Sequence, residues 1–171
     1  NAGFKDFAAH WLSQKEHEMK PSTYKAYESV LRINLVPFFG DQELRTIGAK
    51  QVQNYKALRS GTLHPKTINN HLGVLSSILE DAIEWHFADR NPVRSVKKCQ
   101  LDTTTDDYNY LNDEETQRFL EVAETYKPQW VPLYGVALNT GLRQGELAGL
   151  KWQDIDFNKR QITVNRSITN G

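Results

Sequence analysis

The sequence predicts a mainly α protein in two parts: a four-helix domain over residues 1–94 and, after a linker at 95–110, a helical segment at 111–171 that closes in a β-hairpin. Three observations carry this prediction. Apolar residues recur at helical spacing in four blocks before residue 91, with Pro or Gly between the blocks. Ser95 to Tyr110 is rich in Lys, Asp and Thr and almost free of helical periodicity, as a linker would be. Gln161-Ile162-Thr163-Val164 follows a polar turn, alternates and is rich in β-branched residues, which suits a strand.

Taken in order, Phe4, Phe7, Ala8, Trp11 and Leu12 fall on one helical face, and Lys20-Pro21 ends that block. The opening Asn1-Ala2-Gly3 lacks an initiating methionine and is expected to carry no fold information. Pro21 or Ser22 opens a second helix with Tyr24, Tyr27 and Leu31 on its apolar face, and Pro37-Phe38-Phe39-Gly40-Asp41 ends it. Ala49 to Arg59 forms a shorter helix carrying Val52, Tyr55 and Leu58. Pro65 starts the longest helix, with Ile68, Leu72, Leu75, Leu79, Ala82 and Ile83 as its stripe; it stops before Asn91-Pro92, because proline pushes the preceding residue out of helical torsions. Four helices in this length make a small bundle. In the second part, Asn112 serves as N-cap with acids in the first turn. Trp130 to Leu138 is apolar nearly all round, so that helix is expected to be buried.

Bulk properties exclude several classes. The 171 residues are 39% hydrophobic and 25% charged, ordinary for a globular chain, and hold no apolar run long enough to span a membrane and no signal sequence, so a cytosolic location is expected. Cys99 is the single cysteine, which rules out an internal disulfide and a cysteine-based zinc site. His10, His17, His64, His71 and His86 are scattered without convincing partners, so neither a metal nor a cofactor is expected. The net charge of zero hides an asymmetry: residues 1–105 hold 14 Lys/Arg against 11 Asp/Glu (+3), and residues 106–171 hold 7 against 10 (−3). The acidic excess lies in Asp106, Asp107, Asp113, Glu114, Glu115, Glu121 and Glu124, read as a solvated face. A difference of this size is common and does not identify a polyanion partner.

The stretch Asn139-Thr140-Gly141-Leu142-Arg143-Gln144-Gly145-Glu146-Leu147 is the most informative in the chain. Gly141 ends one helix and a short apolar periodicity starts another, so Arg143 sits near a helix N-terminus. That place favours an anion, and a guanidinium adds a planar, permanently charged fork for phosphate oxygens. Glu146, three residues on, shares its face and can hold the fork. On spacing alone an ordinary helical ion pair, worth only about 0.2–0.5 kcal/mol, is the favoured account of the two residues.

The wider context separates these readings. From Thr140 through Lys151-Trp152-Gln153-Asp154-Ile155-Asp156-Phe157 to Val164, the chain resembles the start of the catalytic domain of tyrosine recombinases, the phage-type integrases. The layout of a helical core-binding (SAM-like) domain, a linker and an α+β catalytic domain widens that resemblance to most of the chain, and phage and conjugative-element integrases are the most similar in pattern. The resemblance implies site-specific DNA recombination, with integration or excision of a mobile element: a tyrosine attacks a backbone phosphate, a 3′-phosphotyrosyl link forms, and a 5′-hydroxyl reverses the step. Arginines aimed at the phosphate oxygens stabilise the transition state, each such donor being worth about 2.7–4 kcal/mol. It implies that Arg143 is the first of the family's two catalytic arginines and that Glu146 orients it.

The family's catalytic lysine lies at or near the hairpin that Asn170-Gly171 would begin. Its second arginine, histidine elements and nucleophilic tyrosine come later, so the expectation is a chain truncated within the catalytic domain that binds DNA without cutting it. Tyr24, Tyr27 and Tyr55 fit the helical core, Tyr134 the apolar segment, and Tyr108, Tyr110 and Tyr126 fall upstream of the nucleophile position. The resemblance also implies double-stranded DNA as partner and a tetramer of the full-length protein on DNA, with a monomer expected for this piece. Two helix starts offer phosphate contacts: Ser22, Thr23 and Lys25, then Lys66, Thr67, Asn69, Asn70 and His71; Lys97 and Lys98 in the linker are further candidates. For Ser22 and Thr23 helix capping is the competing role, and for the two lysines plain solubility. A non-catalytic DNA-binding protein and a helical protein-interaction module remain as alternatives.

Overall fold

The computed structural model describes residues 2–101 and 110–168, and the chain divides into two compact units, Asn1–Thr105 and Asp106–Gly171. It is mostly helical, with one two-stranded antiparallel sheet among the described residues.

In the first unit α1 spans Phe4–Lys15 and buries Phe4, Phe7, Ala8, Trp11 and Leu12, the stripe read from the sequence. The opening residues do shape the fold, contrary to expectation. Gly3 forms an antiparallel bridge with Glu43, the Leu44 N–H donates to the Ala2 carbonyl (3.1 Å) and the Phe4 N–H to the Gln42 carbonyl (2.8 Å). The first N–H groups of a helix have no partner within it, and the 40–44 turn supplies acceptors to two of them, those of Phe4 and Lys5.

Pro21 opens α2 (Pro21–Val30) at the first helical position, where its missing N–H costs nothing. The rod continues through a π-helical turn at Leu31–Leu35 into α3 (Val36–Phe39), bringing Leu31, Leu35 and Phe39 into the core. Pro37 cannot donate to the preceding turn and its ring crowds the carbonyl four residues back; the widened turn just ahead relieves this, so the helix passes the proline and ends at Phe39. Helix α4 (Ala49–Ser60) buries Val52 and Tyr55. Leu58, expected beside them, is exposed. Arg59 continues the inward stripe instead, its guanidinium lying 5.6 Å from the Tyr55 ring centroid.

Helix α5 (Pro65–Glu84) buries the predicted Ile68, Leu72, Leu75, Leu79 and Ala82, together with His71, Val74 and Ile78; Ile83 is half-buried. It ends well before Asn91-Pro92. His86 takes a left-handed φ of 63°, which lets the Phe87 N–H reach the Ala82 carbonyl (2.8 Å) and the His86 N–H reach the Ile83 carbonyl (3.0 Å), a Schellman closure without glycine. Trp11 Nε1 donates to Asp81 Oδ2 at 2.6 Å, tying α1 to α5. Beyond a 3₁₀ turn at Pro92–Ser95 the chain stays on this unit. Val96 is buried against the core, and the Asn69 side chain takes both the N–H (2.8 Å) and the carbonyl (2.9 Å) of Cys99.

The second unit begins with α6 (Asp113–Tyr126). The Glu115 N–H donates to Asn112 Oδ1 and the Asn112 N–H to Glu115 Oε2, both at 2.9 Å, a reciprocal capping box. Asp113, Glu114, Glu115, Glu121 and Glu124 are exposed, as a solvated face requires; Asp106 and Asp107 lie outside the described residues. Helix α7 (Val131–Thr140) corrects an expectation: none of its residues is fully buried. It packs on α6, with the Phe119 and Tyr134 rings 5.2 Å apart, but a helix apolar all round needs neighbours on every side, and this unit supplies too few. Gly141, at φ 66°, ends α7, and α8 spans Gln144–Gly149. Strands β1 (Ile155–Asp156) and β2 (Gln161–Ile162) pair Ile155 with Ile162 and Asp156 with Gln161. The second strand is shorter than the pattern implied, although the Thr163 N–H still donates in register to the Asp154 carbonyl (2.9 Å). The predicted Asn170-Gly171 turn lies outside the described residues.

Candidate functional site

Arg143 is the N-cap of α8, extended at φ −66°, ψ 152°. The left-handed Gly141 just ahead redirects the chain so that the arginine leaves the end of α7 rather than continuing it. The Arg143 side chain is 85% exposed, whereas the Glu146 side chain is only 22% exposed. Glu146 Oε2 accepts the Arg143 backbone N–H (2.9 Å), and Oε1 accepts from Nη1 (3.1 Å). These bonds, the backbone one first, hold the Glu146 carboxyl below its ordinary value. It therefore stays ionised at neutral pH and accepts both bonds as a carboxylate.

This corner differs from the predicted helix N-terminus in two ways. Helix α8 has only six residues, and the Arg143 N–H already has its acceptor in Glu146. What this corner offers an anion is therefore the guanidinium fork itself, with little from helix amides.

Linked to the far end of α8 through Arg166 is a polar hub that sequence reasoning missed. Asp154 is buried, and its carboxylate accepts from the Lys151 N–H (2.9 Å), Asn165 Nδ2 (3.2 Å), Arg166 Nη1 (2.8 Å) and Arg166 Nη2 (3.3 Å). The Lys151 bond is the largest of the influences that hold the Asp154 carboxyl below its usual value. The alternating pattern around Gln161 drew attention to a strand, while the long-range Asp154–Arg166 pair has no local signature.

Among the phosphate-contact candidates, Ser22, Thr23 and Lys25 are exposed on the first turns of α2. The N-cap there is Lys20, with no side-chain cap, so capping does not occupy the two hydroxyls. Lys66 and Asn70 are exposed and Thr67 half-buried at the start of α5, where His64 Nδ1 accepts the Lys66 N–H (3.2 Å). Lys97 and Lys98 are exposed. Lys56, not singled out in the sequence, donates to the Lys97 carbonyl at 2.5 Å.

Two candidates have partners inside the protein. His71 is buried and lies 2.8 Å from the Tyr55 hydroxyl through Nδ1; it is one residue short of Leu72 on the stripe and turns inward with it. Asn69 spends its amide on the Cys99 backbone. Of the tyrosines, Tyr55 is buried, Tyr24, Tyr27 and Tyr134 are half-buried, and Tyr110 and Tyr126 are exposed; Tyr108 lies outside the described residues. Among the described residues no helix is long and apolar enough to cross a membrane.

Comparison with known proteins adds to this geometry. Residues 3–57 match the family described as "Phage integrase, N-terminal SAM-like domain" and residues 109–171 the "Phage integrase family". The ICEBs1 integrase of Bacillus subtilis (strain 168) is 28% identical over 160 residues, covering 93% of this chain and 43% of that protein. A "Tyrosine recombinase XerC-like" protein of Caldanaerobacter subterraneus subsp. tengcongensis is 32% identical over 158 residues, covering 87% and 39%. The chain thus spans less than half the length of these relatives. The integrase of transposon Tn1549, solved with circular intermediate DNA, superposes with a TM-score of 0.77 at 24% identity, covering 98% of this chain and 55% of that one, a likeness of fold.

Proposed function

We propose, for a chain that belongs to the phage integrase family of tyrosine recombinases, a part in site-specific recombination of double-stranded DNA. In this reading Asn1 to Arg94 is the core-type DNA-binding domain and Leu111 to Gly171 the beginning of a catalytic domain. The whole protein cleaves and rejoins strands through a 3′-phosphotyrosyl intermediate, for integration or excision of a mobile element, and works as a tetramer on DNA.

One observation supports the reading most: an exposed guanidinium held at its root by an ionised carboxylate, in the sequence element the family uses for its first catalytic arginine. Charge grows on the non-bridging phosphate oxygens as the phosphate becomes five-coordinate. A fork already oriented by Glu146 meets that charge without reorganising. Glu146 takes no proton. Ser22, Thr23, Lys25, Lys66, Thr67, Asn70, Lys97 and Lys98 contact backbone phosphates, which sets position and affinity rather than sequence choice.

The test is a mobility shift on duplex DNA across a salt series, with the 171-residue chain and its R143A and K66A variants, beside a suicide substrate that traps covalent adducts. The expected result is a salt-dependent shift without an adduct. No shift at low salt would remove both DNA readings and leave the helical interaction module. An adduct would show that one of the seven tyrosines is a nucleophile after all.

A further inference from the structure

We infer that Asp154 and Arg166 are positioning residues for Arg143, acting by clamping α8 at both ends. This rests on the reading of Arg143 as a phosphate ligand. A six-residue helix cannot hold its own orientation, since a single turn or two is unstable without tertiary support. The support comes from the segment after β2. Arg166 Nη1 donates to the Gly149 carbonyl (3.3 Å) at the C-terminal end of α8. The Ile168 N–H donates to the Gly145 carbonyl (2.8 Å) at the other end, two residues from Arg143. Both glycines are there because the segment lies against the helix backbone: a Cβ at Gly145 would stand 2.7 Å from the Ile168 carbonyl oxygen, and one at Gly149 would stand 2.9 Å from Arg166 Cγ and 3.1 Å from its carbonyl oxygen.

Arg166 itself is fixed by Asp154, which takes both prongs of the guanidinium and is anchored in turn by the Lys151 N–H and Asn165. The two-pronged pairing fixes the direction of Arg166 as well as its distance, which a lysine there would not do. The order of action runs from Asp154 through Arg166 to Gly149 and α8, and so to the residue that caps the helix. Neither Asp154 nor Arg166 needs to touch DNA.

The test uses the full 171-residue chain with D154N, which keeps the shape and removes the charge, and R166K, which keeps the charge and removes the fork. Hydrogen exchange is read at the amides of Leu147 and Ile168, with α5 amides as internal control. Both variants are expected to lose protection at these two sites while α5 is unchanged; unchanged protection overturns the inference. DNA affinity is then measured in a double-mutant cycle with R143A. D154N is expected to weaken binding by about threefold to thirtyfold when Arg143 is present, the scale of coupling within one network, and to add nothing in the R143A background. Equal losses in both backgrounds indicate a general structural role and overturn it. If R143A alone leaves affinity and salt slope unchanged, the phosphate-ligand reading fails and the exchange arm decides the clamp by itself. Should D154N unfold the second unit, R166K carries both arms.

Discussion

Glu146 holds Arg143 by two different atoms, its backbone N–H and its guanidinium Nη1, with one carboxylate oxygen committed to each. A neutral amide cannot accept both. E146Q should therefore keep one bond and turn an NH₂ group toward the other donor. The expected outcome is weaker DNA binding with a salt slope close to that of R143A, which itself should be about one unit shallower than the unchanged chain. A slope equal to that of the unchanged chain would show that Arg143 needs no partner to reach its phosphate.

The second unit should be acid-labile. Glu146, Asp154 and Asp156 are all held below their ordinary values of 4.5, 3.8 and 3.8, in each case first by a backbone N–H. The unfolded chain then binds protons before the folded one does. Stability from these groups is fully present above the ordinary values and drains as pH falls from there through the depressed folded values. Circular dichroism or NMR from pH 6 to about 2 should show signals of α8 and the hairpin changing in that window. Flat signals through it would mean the three carboxylates carry no folding role.

His71 is expected to serve stability rather than DNA contact. Burial first, and the Arg59 charge second, lower its basicity, so its contribution is complete above 6.5 and declines as pH drops below that value. H71A should orphan the Tyr55 hydroxyl, costing about 1–3 kcal/mol in urea unfolding followed by tryptophan fluorescence. The salt slope of DNA binding should stay where it was; a shallower slope would return His71 to the interface.

Lys66 and Asn69, three residues apart on α5, should separate cleanly. K66A is expected to flatten the salt slope by about one unit, uniformly across DNA sequences. N69A should leave the slope intact and instead free the backbone at Cys99, seen as faster proteolysis between Val96 and Leu101. A change of slope in N69A would count against its role as a clamp on the chain.

What the sequence made legible was periodic or local. The stripes of α1 and α5, the Asn112 N-cap and the Arg143–Glu146 pair all lie within a turn or two of themselves, so spacing reveals them. The layout of two parts and the mainly α class came from the same signals. What stayed hidden joins distant residues: Asn69 with Cys99, Trp11 with Asp81, Asp154 with Arg166. His71 misled because a polar residue near a helix start reads as surface, and only the facing Tyr55 shows which way it turns. The apolarity of α7 was real, but burial depends on neighbours rather than on composition.

The widened turn at Leu31–Leu35 has an angular consequence. Tyr27, Leu31, Leu35 and Phe39 recur every four residues, and in an unbroken α-helix each such step overshoots a full rotation by about 40°. Over three steps Phe39 would swing away from the rings of Phe4 and Tyr55, from which it now sits 5.7 and 5.4 Å. The π turn absorbs the overshoot and works as a phase corrector. Tightening it into plain α-helix with no residue removed would do more than lengthen the rod: it would rotate everything beyond by about 100°, and the penalty would fall on side chains that were never altered.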